Sequence, residues 1–512
     1  MPPPPRSSHL PAGQDLDPAQ LSAQGSVTQA LVAGWRAEPE RPTLLDLGAT
    51  TPGWCTGGEL EARTAAAAAG LAAAGLGAGD RLVWSTGTSL DAVVVALGAL
   101  RAGGVLVPAN VAWTERELAH VVGDVRPTVA VLERPEQAAA VQAAAGGPLS
   151  VLTPTLERLA APGAGRDAVV GAPLDRASPT DAALIVFTSG TTGRPKGAVL
   201  RHTNLVAGSA SIALAWRWEP DDRLVLSLPL FHVHGLCAGL LGTLLAGASA
   251  VLLPRFEAAA VLDAAAAHRA TLFFGVPTMY QRLGRAAGVD GLARLRLCVS
   301  GSAPLPAALW EEIRRRSGVA VLERYGMTET LLTYSNPVDG ERRPSTVGFA
   351  LPGVEGRLDA PGEDGAGELL VRGPAVFSGY WERPEADAAG FTDGWFRTGD
   401  LATFDDDGYL SLVGRRSDLV ISGGHNVYPA EVEDVLLEHP GVAEAAVAGT
   451  PSEEWGETVT AWVVRADGGC EEADLVAFCA ERLAPYKRPR LVHFVEALPR
   501  NAMGKVVRRE LS

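Results

Sequence analysis

The 512-residue sequence predicts an α/β protein: a large N-terminal region of parallel-sheet α/β subdomains plus a small antiparallel β subdomain, followed by a small mobile α+β C-terminal domain. Three observations carry this expectation. Ala-rich helical stretches alternate with short apolar runs through the first two thirds of the chain. Near residue 345 the texture changes to short alternating strands between turn signals. Beyond Gly414-Arg415-Arg416-Ser417-Asp418 the remainder carries a strand–helix–strand pattern of its own.

Helical patterns cover residues 60–76, 90–100 and 258–269; apolar runs flanked by Gly and Pro cover 81–84, 105–108, 128–132, 184–187, 224–228, 272–274 and 295–300. Such alternation implies crossover units and a mostly parallel sheet covered on both faces. Over residues 345–413, the pairs Pro361-Gly362, Asp364-Gly365, Asp393-Gly394 and Asp407-Gly408 predict antiparallel hairpins or a small barrel. The expected organisation is a disordered leader over 1–22, an N-terminal domain over 23–414, a hinge over 415–418 and a C-terminal lid domain over 419–512. Residues 235–254 contain no charge and are long enough to span a membrane. Four interrupting glycines and a strand-like run closed by Pro254 predict instead a buried helix followed by a buried parallel strand.

A composition of 47% hydrophobic and 20% charged residues belongs to a folded globular chain, and a net charge of −15 repels polyanions, so neither a nucleic-acid nor a membrane partner is expected. Five scattered cysteines without ligand spacing argue against a disulfide framework or a structural zinc site. With a Pro-rich, polar N-terminus that lacks an apolar run, they predict a reducing, cytoplasmic location. Only three basic residues are lysine, Lys196, Lys487 and Lys505, against 41 arginines. Positions that keep lysine in such a chain are candidates for a compact ammonium that a planar guanidinium cannot replace.

One of the three lies in the most informative segment. The apolar run 184–187 leads into Thr188-Ser189-Gly190-Thr191-Thr192-Gly193-Arg194-Pro195-Lys196-Gly197. Glycines let backbone N–H groups turn toward one point, four hydroxyls add donors and the lysine adds charge, which together make a polyphosphate cradle. The spacing is not that of a Walker loop. Further motifs follow: Gly301-Ser302-Ala303-Pro304, Glu323-Arg324-Tyr325-Gly326-Met327-Thr328-Glu329-Thr330, Trp395-Phe396-Arg397-Thr398-Gly399-Asp400, Gly414 to Asp418, Ser422-Gly423-Gly424, and Pro499 to Lys505. In this order they resemble the adenylate-forming superfamily of acyl-CoA synthetases, luciferases and peptide-synthetase adenylation domains.

The resemblance implies two half-reactions: a carboxylate and ATP give an acyl-adenylate and pyrophosphate, then a thiol displaces AMP. It implies ATP, Mg²⁺ and CoA as cofactors and co-substrates, and a small carboxylic acid as substrate. By the same resemblance Thr188, Ser189, Gly190, Thr191, Thr192, Gly193 and Lys196 hold the β- and γ-phosphates. Thr328 meets the α-phosphate, and Glu329 holds the metal. Tyr325 faces adenine opposite Gly301, Ser302 and Ala303, with Gly326 and Met327 lining the nucleotide, while Asp400 and Arg415 take the ribose. Lys505 bridges the carboxylate and α-phosphate during adenylation only, so the C-terminal domain has to turn about the hinge, where Ser417 replaces the usual Asp or Lys. Ser422, Gly423 and Gly424 then line the approach of the thiol, and Lys487 is a candidate for a CoA phosphate.

The strings around His232, Ser300 and Met327 resemble the malonyl-CoA synthetase branch, with Arg255 placed to pair with a second carboxylate, which implies malonate or methylmalonate. Residues 415–429 resemble general short- and medium-chain acyl-CoA ligases instead. The alternative is an adenylating enzyme that delivers a small or unusual acid to a carrier-protein thiol or an amine.

Overall fold

A computed structural model describes residues 9–10, 16–21, 25–155, 174–188, 195–362, 365–422, 425–452, 455–466, 469–500 and 506–511. Among the described residues the strands form four sheets. The largest runs, edge to edge, through Phe349–Ala350, Leu331–Ser335, Leu322–Met327, Leu297–Ser300, Leu272–Gly275, Arg223–Leu226, Ser249–Leu252, Pro42–Asp46 and Trp54–Thr56. Its centre is parallel and both edges are antiparallel. A six-stranded sheet places Ser150–Leu152, Val129–Leu132, Arg81–Ser85, Val105–Pro108 and Ala182–Thr188 in parallel, with Lys196–Arg201 closing one edge as an antiparallel partner.

Local sequence explains how these units begin. Helices Val27–Ala37, Gly57–Ala73 and Glu115–Val125 each start from a Ser or Thr that accepts the backbone N–H three residues on, while the Gln or Glu there reaches back to the cap. Helix Leu90–Arg101 is buried from Ala92 to its end. It packs closely on Gly57–Ala73 because Gly98 has no side chain: a Cβ there would stand 2.7 Å from the Ala67 methyl. The uncharged stretch after His232 folds as a π-helix, His234–Leu241, a short α-helix, Gly242–Leu245, and the buried strand Ser249–Leu252, as expected for a core segment. No helix among the described residues is long and apolar enough to cross a membrane.

The antiparallel region is a sheet of Glu355–Asp359, Gly367–Arg372 and Trp395–Phe404, with Phe391–Thr392 and Leu410–Arg415 both paired to the last of these. The C-terminal α/β unit has its own sheet, His425–Val427, Val420–Ser422, Gly456–Arg465 and Val442–Ser452, with Leu491–Phe494 added in parallel, and its own apolar core. The expected leader needs correction over its described residues. His9 is buried and its Nε2 lies 3.1 Å from the Phe349 carbonyl, Pro18–Leu21 forms a 3₁₀ turn, and Leu21 is buried. Gly353 makes that contact possible, since a Cβ there would stand 2.2 Å from the Leu21 side chain.

Candidate active site

The phosphate-loop candidate joins two strands whose register puts Thr188 opposite Lys196. Ser189, Gly190, Thr191, Thr192 and Gly193 lie outside the described residues. The Lys196 ammonium stands 4.9 Å from the centre of the Tyr380 ring. Tyr380 is held there by a bridge to Ala198 and by the Trp381 N–H, which donates to the Gly197 carbonyl at 2.7 Å. The Tyr380 hydroxyl donates to Glu329 Oε1 at 2.9 Å. Thus Lys196 and Glu329, far apart in sequence, are linked through one aromatic side chain. Burial pushes the Glu329 carboxyl above the usual range; its hydrogen bonds and the charges of Arg415 and Lys196 oppose that shift.

A second cluster grows from sheet register. Asp400 and Arg415 are direct partners on adjacent strands, and Arg415 Nε lies 3.0 Å from Asp400 Oδ1. The Tyr325 hydroxyl donates to the other carboxylate oxygen at 2.5 Å. The Asp400 N–H donates to Thr398 Oγ1 at 3.1 Å, which fixes the backbone. The Asp400 charge raises the Arg415 pKa, while burial, followed by Asp400, raises that of Tyr325. Each carboxylate oxygen keeps a lone pair free for a further donor. Gly326 is required beside this cluster, because a Cβ there would stand 1.9 Å from the Leu331 carbonyl oxygen.

The turn after Leu297–Ser300 meets the π-helix. Ser302 has φ +72°, and its hydroxyl lies 3.2 Å from His234 Nδ1. His234 is buried and stacks on Phe274, and its backbone N–H donates to His232 Nδ1 at 3.2 Å. Burial lowers the pKa of His232 to about 4 and that of His234 well below its ordinary value, with the nearby Arg324 charge acting in the same direction. Ser300 Oγ is buried without a hydrogen-bond partner among the described residues, Thr328 is buried, and Met327 Sδ lies 3.9 Å from the Tyr325 hydroxyl. Ala303 is half-buried.

Arg255 is the clear correction. Its side chain is 82% exposed and pairs with Glu257 at 2.6 Å, so it forms no wall of a buried acyl pocket. The strand before it ends at Leu252, and Pro254 and Arg255 lie in an exposed bend that follows. Lys487 is also accounted for: Glu431 holds it through both oxygens at 2.6 and 2.8 Å. Ser422 is buried in the C-terminal sheet, whereas Gly423, Gly424 and Lys505 lie outside the described residues.

Sequence reasoning assigned no role to Tyr380, which joins Lys196 to Glu329, or to the buried Arg324. Tyr380 carries no local signal, since its partner Glu329 is 51 residues away. The signal for Arg324 was a charge inside an apolar strand pattern.

Its neighbour Glu323 yields a stability prediction. Glu323 Oε1 accepts the Leu305 N–H at 3.0 Å, the other oxygen has no partner among the described residues, and burial raises the pKa from 4.5 to about 8. Between those values the folded chain keeps a proton that the unfolded chain has lost, so this group lowers stability as pH rises, by on the order of 1 kcal/mol per pH unit. Glu323→Gln is expected to raise the melting temperature at pH 8 and to leave it nearly unchanged at pH 5. Melting curves at both pH values with the same difference in parent and variant would refute this.

Comparison with known proteins places these clusters in a family. The AMP-binding enzyme model matches residues 32–381, and the AMP-binding enzyme C-terminal domain matches 431–505. A feruloyl-CoA synthase from an Amycolatopsis species is 41% identical over 88% of this chain and 92% of its own length. The mitochondrial malonate–CoA ligase of Mus musculus is 37% identical over 84% of this chain and 81% of its own. The crystal structure of ATP-bound MatB from Rhodopseudomonas palustris superimposes with a TM-score of 0.86 at 40% identity, covering 94% of this chain and 97% of that one. The fold is that of an adenylate-forming enzyme, and the chain is an AMP-forming acid–thiol ligase. It belongs to the AMP-binding enzyme family.

Proposed function

We propose that the chain activates a small dicarboxylic acid, malonate or methylmalonate, and joins it to CoA through an acyl-adenylate. Relatives of comparable similarity bear the names malonate–CoA ligase and feruloyl-CoA synthase, so family likeness supports a CoA ligase and leaves the acid to the pocket. The observation that carries the adenylating chemistry is the convergence of Lys196, Tyr380 and Glu329 beside Tyr325, Asp400 and Arg415; the acid is supported by the resemblance of the strings around His232, Ser300 and Met327 to the malonyl-CoA synthetase branch. A carboxylate has no good leaving group, and transfer of adenylate supplies one.

In this reading Lys196 and the loop from Thr188 neutralise the departing pyrophosphate, Thr328 donates to the α-phosphate, and Asp400 accepts from the ribose hydroxyls. Tyr325, tethered through its hydroxyl, presents its ring to adenine against Gly301 to Ala303.

Glu329 suits Mg²⁺: it is a buried carboxylate whose ionisation burial opposes and a divalent cation favours. No cluster of three metal-binding side chains exists among the described residues, so Glu329 is the residue that would hold the ion. The ion would add charge neutralisation at the phosphates.

The C-terminal domain, from 419 onward, turns about residues 415–418 between half-reactions to exchange Lys505 for Ser422, Gly423 and Gly424 at the site. In the conformation described, Arg416 pairs with Glu368 at 3.1 Å and Arg508 bridges Asp418 and Glu433, contacts that such a rotation has to remake or carry along. Five buried, unbridged cysteines support a reducing cytoplasmic setting.

A pyrophosphate-release screen over acetate, propionate, butyrate, malonate, methylmalonate and ferulate, with and without CoA, tests this. The expected result is highest kcat/KM for malonate or methylmalonate, with CoA accelerating AMP release. Highest efficiency with a monocarboxylate or ferulate would overturn the acid, and AMP release indifferent to CoA would overturn the acceptor.

A further inference from the structure

Lys196 and Glu329 carry opposite charges in one corner of the site, yet they do not pair. Among the described residues Lys487 is the one lysine in an ion pair. The Lys196 ammonium lies over the Tyr380 ring instead, 4.9 Å from its centre, and the Tyr380 hydroxyl donates to Glu329 Oε1 at 2.9 Å. An ammonium and a carboxylate in direct contact would satisfy each other and close the position that phosphate and metal need. One aromatic side chain stands between them and still gives each a partner. Its ring face attracts the cation without neutralising it. Its hydroxyl takes one of about four lone-pair sites on the carboxylate, so Glu329 is oriented and keeps capacity for a cation.

The backbone places Tyr380 for this. Residues 377–381 form a strap between the turn that carries Glu329 and the strand that follows the phosphate loop. At one end the Phe377 N–H donates to the Glu329 carbonyl at 2.7 Å, and at the other the Trp381 N–H donates to the Gly197 carbonyl at 2.7 Å. Between them the Ser378 N–H donates to the Val199 carbonyl at 3.1 Å, and the Val199 N–H donates to the Gly379 carbonyl at 3.0 Å. The Tyr380 N–H donates to Asp387 Oδ1 at 2.7 Å. That contact requires glycine at 379, where φ is +131° and a Cβ would stand 2.7 Å from Asp387 Oδ2.

Packing accounts for the ring of Tyr380 but not for its hydroxyl. Phe377 meets the ring edge-on at 4.8 Å, and Phe391 and Phe396 extend the same cluster as plain rings. The hydroxyl is the part that reaches the site, and its partner there is the Glu329 carboxylate.

We propose that Tyr380 is a positioning residue that spaces Lys196 from Glu329, so that the ammonium stays open to the triphosphate and the carboxylate to its divalent cation. The inference rests on the roles assigned above to Lys196 and Glu329, and adds the residue that keeps both available.

The test uses the full-length chain and its variants Tyr380→Phe, Tyr380→Leu, Glu329→Gln and Tyr380→Leu combined with Glu329→Gln. Calorimetry with metal chelated gives ATP affinity, and electron paramagnetic resonance of Mn²⁺ gives metal affinity with ATP bound. Tyr380→Phe keeps the ring and loses the donor, so Mn²⁺ affinity is expected to fall about tenfold while metal-free ATP affinity stays within about twofold. Tyr380→Leu removes the spacer and lets Lys196 pair with Glu329, so metal-free ATP affinity should fall about fivefold or more. Adding Glu329→Gln to the leucine variant removes the competing carboxylate and should return that affinity to within about twofold of Glu329→Gln alone. A merely structural tyrosine would show no such rescue. The phenylalanine variant keeps the ring and decides the matter if the leucine variant does not fold. Unchanged Mn²⁺ affinity in Tyr380→Phe, or a loss of ATP affinity in Tyr380→Leu that Glu329→Gln does not recover, overturns the spacer role alone. ATP affinity unchanged by Lys196→Ala, or Mn²⁺ affinity unchanged by Glu329→Gln, overturns the roles of those residues and this inference with them.

Discussion

Lys505→Ala is expected to reduce acyl-adenylate formation by a factor of 100 or more, while thioester formation from supplied acyl-adenylate and CoA stays within a few-fold of the parental rate. The first half-reaction brings a carboxylate up to a triphosphate, two anions that repel unless a cation bridges them, and the second involves no such approach. The chain uses lysine at three positions only. One of them, Lys487, is held by Glu431, and Lys196 is placed over Tyr380; the ammonium proposed for the adenylation step is Lys505, on the strength of the family resemblance of residues 499–505. Lys505→Arg should rescue little, since a planar fork does not substitute for a compact charge. Pyrophosphate release and CoA-dependent AMP release, assayed separately, check the split. An alanine variant that adenylates at the parental rate, or one that loses both half-reactions equally, would remove Lys505 from this role.

The second large effect concerns Asp400. Replacement by Ala leaves the Arg415 guanidinium and the Tyr325 hydroxyl without their shared acceptor. Breaking a buried pair costs about 3–5 kcal/mol, and with the Arg415 side chain 32% exposed the expected loss of folding stability is about 2–4 kcal/mol. Asp400→Asn keeps the shape and one acceptor oxygen, so it should cost less than half as much in stability. It should nevertheless raise KM for ATP tenfold or more, because the charged acceptor proposed for the ribose hydroxyls is lost. Denaturant unfolding and ATP titration of both variants separate the two effects. Equal stability of Asp400→Ala and Asp400→Asn would show that the cluster is not coupled as described. A double-mutant cycle with Tyr325→Phe gives the coupling energy directly.

Much of the architecture was legible in the chain because it follows from periodicity. The strands Arg81–Ser85, Val105–Pro108, Leu272–Gly275 and Leu297–Ser300 are built around uninterrupted apolar runs, as expected of strands buried on both faces of a parallel sheet. The turn pairs after residue 345 mark antiparallel connections because they favour reversal of the chain. Ser26, Thr56 and Thr114 announce their helices through a cap and a Gln or Glu three residues on. Arg255 was placed in the pocket by family resemblance, which does not report the direction of a side chain that follows a buried strand; it points outward, to Glu257.

Sequence alone determined the class of protein, the order of its motifs and the chemistry they can support, since these depend on residue type and local spacing. Tertiary structure decided the rest. That Tyr380 joins Lys196 to Glu329, that Asp400 faces Arg415, and that Arg324 Nε and Nη2, beside Gly301, find no hydrogen-bond partner among the described residues are outcomes of strand register and long-range packing. Contacts of that kind form between segments far apart in the chain, and no local preference of either segment encodes the other.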